Sequence, residues 1–184
     1  MIQTPKSAGN APEVKNAFDI IQPDVVVAQD DDVARMLEKS MDAAIKCRKI
    51  VIQSEGDGLG QWQSLDDFME LSSNAEALDG LSVTRKDDDV ILVLMTSGTT
   101  SLPKGCAHTN RSLVSCVTAF TSNACCDRSR SICAHLPSSH IFGLHSMLSF
   151  QSIGLPVVHA SHYFEPGTTL RAIREEGCTD VVGM

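Results

Sequence analysis

The sequence predicts an α/β fold in which helices flank a largely parallel sheet. Short apolar runs that are typical of buried strands alternate with segments whose apolar residues recur at helical spacing. This alternation favours βαβ units, and therefore a parallel sheet. The length of 184 residues is enough for one domain with a hydrophobic core, and the sequence shows neither repeats nor an obvious domain boundary.

The first clear pattern predicts a helix and then a βαβ unit. Pro12 suits a first helical turn. Residues 24–28 and 49–53 predict two buried strands, and the acidic run 30–32 favours a helix start between them because the helix dipole attracts negative charge there. The apolar face of the first helix comprises Val14, Ala17, Phe18 and Ile21. The apolar stripe of the second comprises Val33, Met36, Leu37, Met41, Ala44 and Ile45.

A loop region follows at 55–63, and it contains the string GDGLG. A dinucleotide fingerprint requires a third glycine that opens a helix, so this string is better interpreted as a turn. Ser64 and Asp67 have the spacing of a capping box before a short helix. The polar stretch 72–89 predicts a surface connection.

The second half predicts further strand and helix alternation. Asn110 suits the cap of a helix, and Gly177 suits the end of the last one. Strands are predicted at 90–95, 131–136, 156–160 and 179–184, and helices near 142–152 and 168–177. The inward face of the helix after Asn110 is predicted to comprise Leu113, Val114, Val117 and Phe120.

Composition excludes several classes of function. A net charge of -8 and only 4% aromatic residues argue against nucleic-acid binding, which needs basic patches or stacking platforms. The sequence has no signal-peptide pattern and no apolar run that would span a bilayer, so we expect a cytoplasmic protein.

Seven cysteines without a CxxC pair predict reduced and mostly buried thiols. Cys125, Cys126, Cys133, His135 and His140 form a cluster in the sequence, but their spacing fits no usual zinc pattern. His159 and His162 have no nearby acidic base and are interpreted as strand-end and loop residues.

The residues 96–105, TSGTTSLPKG, carry the clearest chemical signal. A buried strand runs directly into a loop with a lysine, Lys104, and a flexible glycine, Gly98. Its hydroxyl donors are Thr96, Ser97, Thr99, Thr100 and Ser101. Such a loop can hold a phosphate through hydroxyl groups, backbone N–H groups and the cation. A Walker A loop is rejected because Pro103 precedes the lysine and Gly105 follows it.

The same stretch resembles the phosphate-loop signature TSGTTGxPKG of the adenylate-forming superfamily, which includes acyl-CoA synthetases, luciferases and peptide-synthetase adenylation domains. One fixed position differs, where Ser101 replaces glycine. A second stretch, residues 136–144, is similar to the family segment PLFHxxGL and matches it at Pro137, His140, Gly143 and Leu144.

The resemblance implies residue roles as well as a fold. The loop residues from Thr96 to Ser101, with Lys104 and Gly105, would bind nucleotide phosphates, while His140 and Gly143 would border the substrate acid. Amino-acid-activating members usually carry an aspartate near that place. None occurs between Arg128 and Asp180, which favours a carboxylic acid without an α-amino group.

The implied reaction is ATP-dependent carboxylate activation with Mg²⁺, followed by transfer of the acyl group to coenzyme A or a carrier phosphopantetheine. We expect residues 1–184 to be part of the large N-terminal domain, without its early portion and without the C-terminal domain. Catalytic residues are therefore not assigned, and an acyl-carrier domain is a candidate partner. The alternative is a non-catalytic fragment that binds nucleotide weakly or not at all.

Overall fold

The computed structural model describes residues 11–42, 44–54, 60–71, 84–96, 103–123, 129–161 and 164–183. These residues divide into two compact units, a division that the sequence did not indicate. The N-terminal unit lies within Thr4–Arg85 and Met95–Gly105, and the C-terminal unit lies within Lys86–Leu94 and Cys106–Met184. The predicted GDGLG turn lies largely outside the described residues, as does most of the predicted connection at 72–89.

The N-terminal unit contains a three-stranded parallel sheet with flanking helices. Its elements are α1 (Ala11–Ile21), β1 (Val25–Asp30), α2 (Asp31–Ser40), β2 (Arg48–Gln53), β3 (Trp62–Ser64) and α3 (Leu65–Leu71). The strand order is β1-β2-β3, and both pairs are parallel. The βαβ unit is therefore confirmed, whereas the strand β3 was missed by the sequence analysis.

Local capping determines where the helices of this unit begin. The Asp30 carboxylate accepts a hydrogen bond from the Val33 N–H at 2.9 Å, which confirms the acidic helix start. The Ser64 hydroxyl accepts one from the Asp67 N–H at 3.1 Å, as the predicted capping pattern requires. The prediction that α2 continues through Ala44 and Ile45 was wrong, because the helix ends at Ser40.

The core of the N-terminal unit combines residues of α1 and α2 with residues of β1, and it includes Ala34, which the predicted helix stripe omitted. Its buried residues are Val14, Phe18, Val26, Ala28, Ala34 and Leu37. Ile45 still packs against this cluster although it follows the helix. Burial of such apolar side chains contributes about 1.5–3 kcal/mol each for the larger ones.

One buried lysine joins three elements of the same unit. Lys49 on β2 is only 9% exposed, and its Nζ lies 2.9 and 2.8 Å from the two carboxylate oxygens of Glu38 on α2. The indole N–H of Trp62 on β3 donates to the same carboxylate at 3.0 Å. The hydrogen bond with Lys49 is the main reason that the pKa of Glu38 is lowered.

The C-terminal unit contains a second parallel sheet. Its further elements are α4 (Asn110–Asn123), β6 (Ile132–Cys133), α5 (Ile141–Ser152), β7 (Val157–Val158), α6 (Pro166–Glu175) and β8 (Asp180–Val181). The strand order is β7-β6-β8, and both pairs are parallel. Ile132, Phe150 and Leu155 form its buried core. The predicted strands are present but shorter than expected.

Two strands precede this sheet and form a separate pair, β4 (Val90–Thr96) and β5 (Lys104–Thr109). The sequence predicted the first strand and a continuous loop after it, so β5 is a correction. Gly177 has a φ of +63° just after α6, which confirms it as a helix stop. None of the helices among the described residues has both the length and the apolar character that a membrane span requires.

Two expectations for α4 were wrong. Asn110 is the first helical residue, and the capping hydroxyl belongs to Thr109, which accepts from the Ser112 N–H at 3.2 Å. Val114 was predicted to face inward, but it is 56% exposed.

We predict that Glu38→Gln lowers the free energy of unfolding by about 1–2 kcal/mol, because it leaves the buried Lys49 ammonium without its charged partner. The control is Arg35→Gln, which removes an exposed ion pair with Asp32 and should change stability by less than about 0.5 kcal/mol. Urea unfolding of both variants measures the difference. Equal effects would show that the Lys49 network does not stabilise the unit.

The same carboxylate predicts an acid-dependent loss of stability. Because the folded pKa of Glu38 lies below its ordinary value of 4.5, its contribution is fully present above that value and is lost as the pH falls through the folded pKa. Asp180 likewise contributes stability that is lost at acidic pH, because the hydrogen bond from Arg130 lowers the pKa of its carboxyl group. Urea midpoints measured across acidic pH should therefore fall less steeply for Glu38→Gln than for the wild type. If the urea midpoints of the wild type and of Glu38→Gln fell equally steeply with pH, the role of Glu38 in the acid-dependent loss of stability would be contradicted.

Candidate functional site

The described part of the phosphate-loop candidate consists of its two ends. Thr96 ends β4 and Lys104 begins β5. The Thr96 hydroxyl accepts from the Lys104 N–H at 3.4 Å and lies 3.3 Å from the Lys104 carbonyl oxygen, to which it can donate. One threonine side chain therefore closes the loop at its base. Ser97, Gly98, Thr99, Thr100 and Ser101 lie outside the described residues, so their roles stay predictions.

A second hydrogen bond, which the sequence analysis missed, binds the backbone near the end of the loop. The Asn16 side-chain N–H₂ on α1 donates to the Pro103 carbonyl oxygen at 2.7 Å. Both residues belong to the N-terminal unit. Lys104 and Gly105 follow directly and are exposed, so the lysine side chain is accessible to a ligand.

The helix after the loop does not offer its N-terminus to a phosphate. The Asn110 and Arg111 N–H groups donate to the carbonyl oxygens of Asp89 and Asp87 at 3.0 and 2.8 Å, and Thr109 caps the next turn. In a Walker A site the loop leads directly into a helix whose N–H groups face the anion. Here the strand β5 intervenes and the protein satisfies those N–H groups itself, which supports the rejection of a Walker A site.

His140 lies in the connection between β6 and α5, and such connections after the carboxyl ends of parallel strands often bind ligands. Its exposed ring forms the N-cap of α5, and Nδ1 accepts from the Phe142 N–H at 3.3 Å. This hydrogen bond favours the tautomer in which Nδ1 is the acceptor and Nε2 carries the N–H. A fixed Nε2–H is suited to donate to an oxygen atom of a ligand.

Gly143 is required by packing. A Cβ atom at this position would lie 2.4 Å from the Pro137 carbonyl oxygen, which is closer than real Cβ contacts. The same Pro137 carbonyl accepts from the His140 N–H at 3.0 Å. The glycine thus keeps the turn that carries His140 close to the first turn of α5.

The other described histidines of the C-terminal unit lie in different surroundings. The Nδ1 atom of His135 lies 3.3 Å from the Cys133 carbonyl oxygen. The centroid of the His135 ring lies 5.8 Å from the centroid of the Phe164 ring. His159 follows β7 and is exposed, whereas His162 is not among the described residues. The Nε2 atom of His145 is buried and has no hydrogen-bond partner among the described residues, and burial together with His108 lowers its pKa.

The prediction of mostly buried thiols was wrong for the described cysteines, because only Cys133 is buried while Cys47 and Cys178 are half-buried. The five described cysteines are free, but Cys106 and Cys116 are exposed. Cys125 and Cys126 lie outside the described residues. Across the part of the chain that the structure describes, no group of three or more histidine, cysteine or acidic residues could hold a metal ion.

The geometry brings the predicted site residues together in two separate groups. Thr96, Lys104 and Gly105 meet at the closed base of the loop in the N-terminal unit. His140 and Gly143 lie at the N-cap and in the first turn of α5 in the C-terminal unit. The loop between β4 and β5 is rich in hydroxyl residues in the sequence, a pattern that is typical of nucleotide-binding proteins.

Comparison with known proteins identifies that class. The family model described as "AMP-binding enzyme" matches residues 7–184, so the chain belongs to this family of adenylate-forming proteins. An acyl-CoA ligase, sidI, from Beauveria bassiana is 36% identical over 101 residues, which are 52% of this chain and 17% of the ligase.

Solved structures support the fold. The luciferase-like enzyme of the mealworm Zophobas morio has a TM-score of 0.72 at 22% identity, covering 93% of this chain and 38% of that structure. The O-succinylbenzoate coenzyme A synthetase of Bacillus subtilis, solved with ATP and magnesium, has a TM-score of 0.68 at 16% identity. The match covers 94% of this chain and 31% of the synthetase. The chain thus spans less than half the length of each of these relatives.

We predict that Gly143→Ala lowers the free energy of unfolding by about 1–3 kcal/mol, because the added methyl group forces the Pro137 carbonyl away from the first turn of α5. Gly183→Ala is the matched control, since a Cβ there meets no atom within 4 Å, and should change stability by less than about 0.5 kcal/mol. Thermal or urea unfolding compares the two. A Gly143→Ala protein as stable as the control would refute the close approach.

Proposed function

We propose that the chain supplies the phosphate loop and part of the acid site of an ATP-dependent carboxylate-activating enzyme. The reaction joins a carboxylic acid to ATP, giving an acyl-adenylate and pyrophosphate, and then transfers the acyl group to a thiol such as coenzyme A or a carrier phosphopantetheine. Family membership supports the adenylate-forming step. The name of the Beauveria ligase supports the acyl-CoA product.

The single observation that carries this proposal is the closed base of the loop. Thr96 holds the backbone of Lys104, and Asn16 holds Pro103, so the intervening residues start and end at fixed positions. A loop that is already ordered at both ends loses less entropy when it binds a polyphosphate. The exposed ammonium of Lys104 offers the positive charge that the β- and γ-phosphates need.

The loop would stabilise the negative charge that develops in the proposed reaction. The carboxylate and the α-phosphate repel each other, and negative charge builds up on pyrophosphate as it leaves. Hydroxyl groups, backbone N–H groups and Lys104 stabilise that charge, and Mg²⁺ strengthens the effect when it enters with the nucleotide. Lys104, Gly105 and the hydroxyl groups from Thr96 to Ser101 are the proposed ligands of the phosphates.

We further propose that His140 borders the carboxylic acid. Its Nε2–H is free to donate because Nδ1 serves as the helix cap, and Gly143 keeps the turn in place. The substrate would be an acid without an α-amino group, since no aspartate lies between Arg128 and Asp180 to hold one. The proposed setting is a cytoplasmic enzyme in which residues 1–184 are part of an adenylation domain, with an acyl-carrier domain as a candidate partner.

We predict that Lys104→Ala weakens MgATP binding by about tenfold to a hundredfold, as expected for the loss of one charged contact with phosphate. Isothermal titration calorimetry with MgATP measures the affinity. Lys39→Ala is the control, because Lys39 is an exposed lysine in the last turn of α2 and should leave the affinity unchanged. Equal affinities for the wild type and Lys104→Ala would refute the phosphate assignment.

Exchange of labelled pyrophosphate into ATP separates catalysis from binding alone. Acid-dependent exchange that Lys104→Ala abolishes would support carboxylate activation. In the longer protein of which this chain is proposed to be a part, ATP binding without exchange, over a panel of acids that lack an α-amino group, would favour the non-catalytic alternative.

A further inference from the structure

The backbone around Lys104 is bound at three successive polar groups. The Pro103 carbonyl oxygen accepts from the Asn16 side-chain N–H₂ at 2.7 Å, and the Lys104 N–H donates to the Thr96 hydroxyl at 3.4 Å. The same hydroxyl lies 3.3 Å from the Lys104 carbonyl oxygen, to which it can donate. Two side chains therefore bind three consecutive backbone groups, and all of these residues belong to the N-terminal unit.

Two of the three groups belong to one planar peptide unit. The Pro103 carbonyl and the Lys104 N–H are its acceptor and its donor, and they point to opposite sides of the peptide plane's long axis. Asn16 binds the carbonyl and Thr96 binds the N–H, so a rotation of this peptide would break at least one hydrogen bond. The two side chains therefore fix the backbone from which the Lys104 side chain leaves.

This backbone support leaves the charge of Lys104 available. Lys104 is exposed, and within the part of the chain that the structure describes its ammonium has neither a hydrogen bond nor an ion pair. Lys49 is held differently, because its ammonium binds the Glu38 carboxylate at 2.8 Å. A carboxylate would neutralise the charge that a phosphate needs, whereas hydrogen bonds to the backbone orient a lysine and leave its charge free.

The amide of Asn16 is itself carried by a firmly packed helix. Val14, Ala17 and Phe18 on the same helix are buried, and Val14 and Phe18 belong to the core of the N-terminal unit. Asn16 is half-buried beside them. The proline ring restricts φ of Pro103 as well, so the bound carbonyl has little freedom to move. Groups that orient a binding residue are most effective when they are held by a rigid element in this way.

We propose that Asn16 is a positioning residue of the phosphate site, which holds the Pro103–Lys104 peptide so that the Lys104 ammonium is directed towards the β- and γ-phosphates of ATP. Asn16 acts through Lys104 and does not touch the nucleotide. This role rests on the proposed function, because it requires that Lys104 binds phosphate. It adds a residue of α1 to a site whose other proposed members all lie in or next to the loop.

The test is a double-mutant cycle on the whole 184-residue chain, with MgATP affinity measured by isothermal titration calorimetry. Asn16→Ala removes the amide and keeps α1, because alanine has the highest helix propensity. It should weaken MgATP binding by about threefold to tenfold, as expected for the loss of one neutral hydrogen bond. In the Lys104→Ala background the same substitution should change the affinity by less than about twofold, because the group through which Asn16 acts is gone.

Lys15→Ala is the matched control, since Lys15 is the exposed neighbour of Asn16 and forms only a surface ion pair with Asp19, and it should leave the affinity unchanged. If Lys104→Ala weakens binding and Asn16→Ala does not, the positioning role is overturned and the proposed function stands. An equal loss in both backgrounds would also overturn this role, because Asn16 would then not act through Lys104. An affinity that Lys104→Ala leaves unchanged would refute both.

Hydrogen–deuterium exchange without nucleotide tests the hydrogen bonds themselves. The Lys104 N–H should exchange faster in Asn16→Ala than in the wild type and in Lys15→Ala, because its peptide can rotate more freely, while exchange across β1 and β2 should stay the same. Unchanged exchange at Lys104 would overturn the positioning role. Faster exchange throughout the N-terminal unit would overturn it too, because Asn16 would then stabilise the fold as a whole.

Discussion

The proposed phosphate site depends on one constraint: the loop between β4 and β5 must be fixed at both ends. Thr96 meets this constraint by binding the Lys104 backbone through its side chain, so the last residue of β4 and the first residue of β5 stay together. Asn16 adds a second support from α1 at the Pro103 carbonyl. The amide groups at the start of α4 donate to the carbonyl oxygens of Asp89 and Asp87, so the proposed site would not use a helix N-terminus as a Walker A site does.

The sequence predicted those parts of the fold that local chemistry determines. The start of α2 was predictable because an aspartate followed by an apolar stripe at helical spacing is a common N-cap pattern. The end of α6 was predictable because glycine readily adopts the positive φ that Gly177 has after the helix. The strands β3 and β5 were not predictable. Trp62–Ser64 is too short to show alternation, and Lys104–Thr109 contains only one β-branched residue, Thr109, so pairing with a neighbour determines both.

The candidate site was predictable to a similar extent. Thr96 and Lys104 were found through their order in one loop, but Asn16 lies 87 residues from its partner and carries no local signal. The cap of α4 was misplaced by one residue because threonine and asparagine are both good N-caps. Gly143 was taken from the motif alone, and only the packing against Pro137 explains why a glycine is needed there.

The most direct test of the account is hydrogen–deuterium exchange of the chain with MgATP, with MgAMP and without nucleotide. AMP lacks the β- and γ-phosphates, so it separates phosphate-loop contacts from other binding. The account predicts that MgATP slows exchange across residues 96–105 and that MgAMP does not. Exchange in this segment that stays unchanged while MgATP protects another part of the chain would contradict the assignment of the loop.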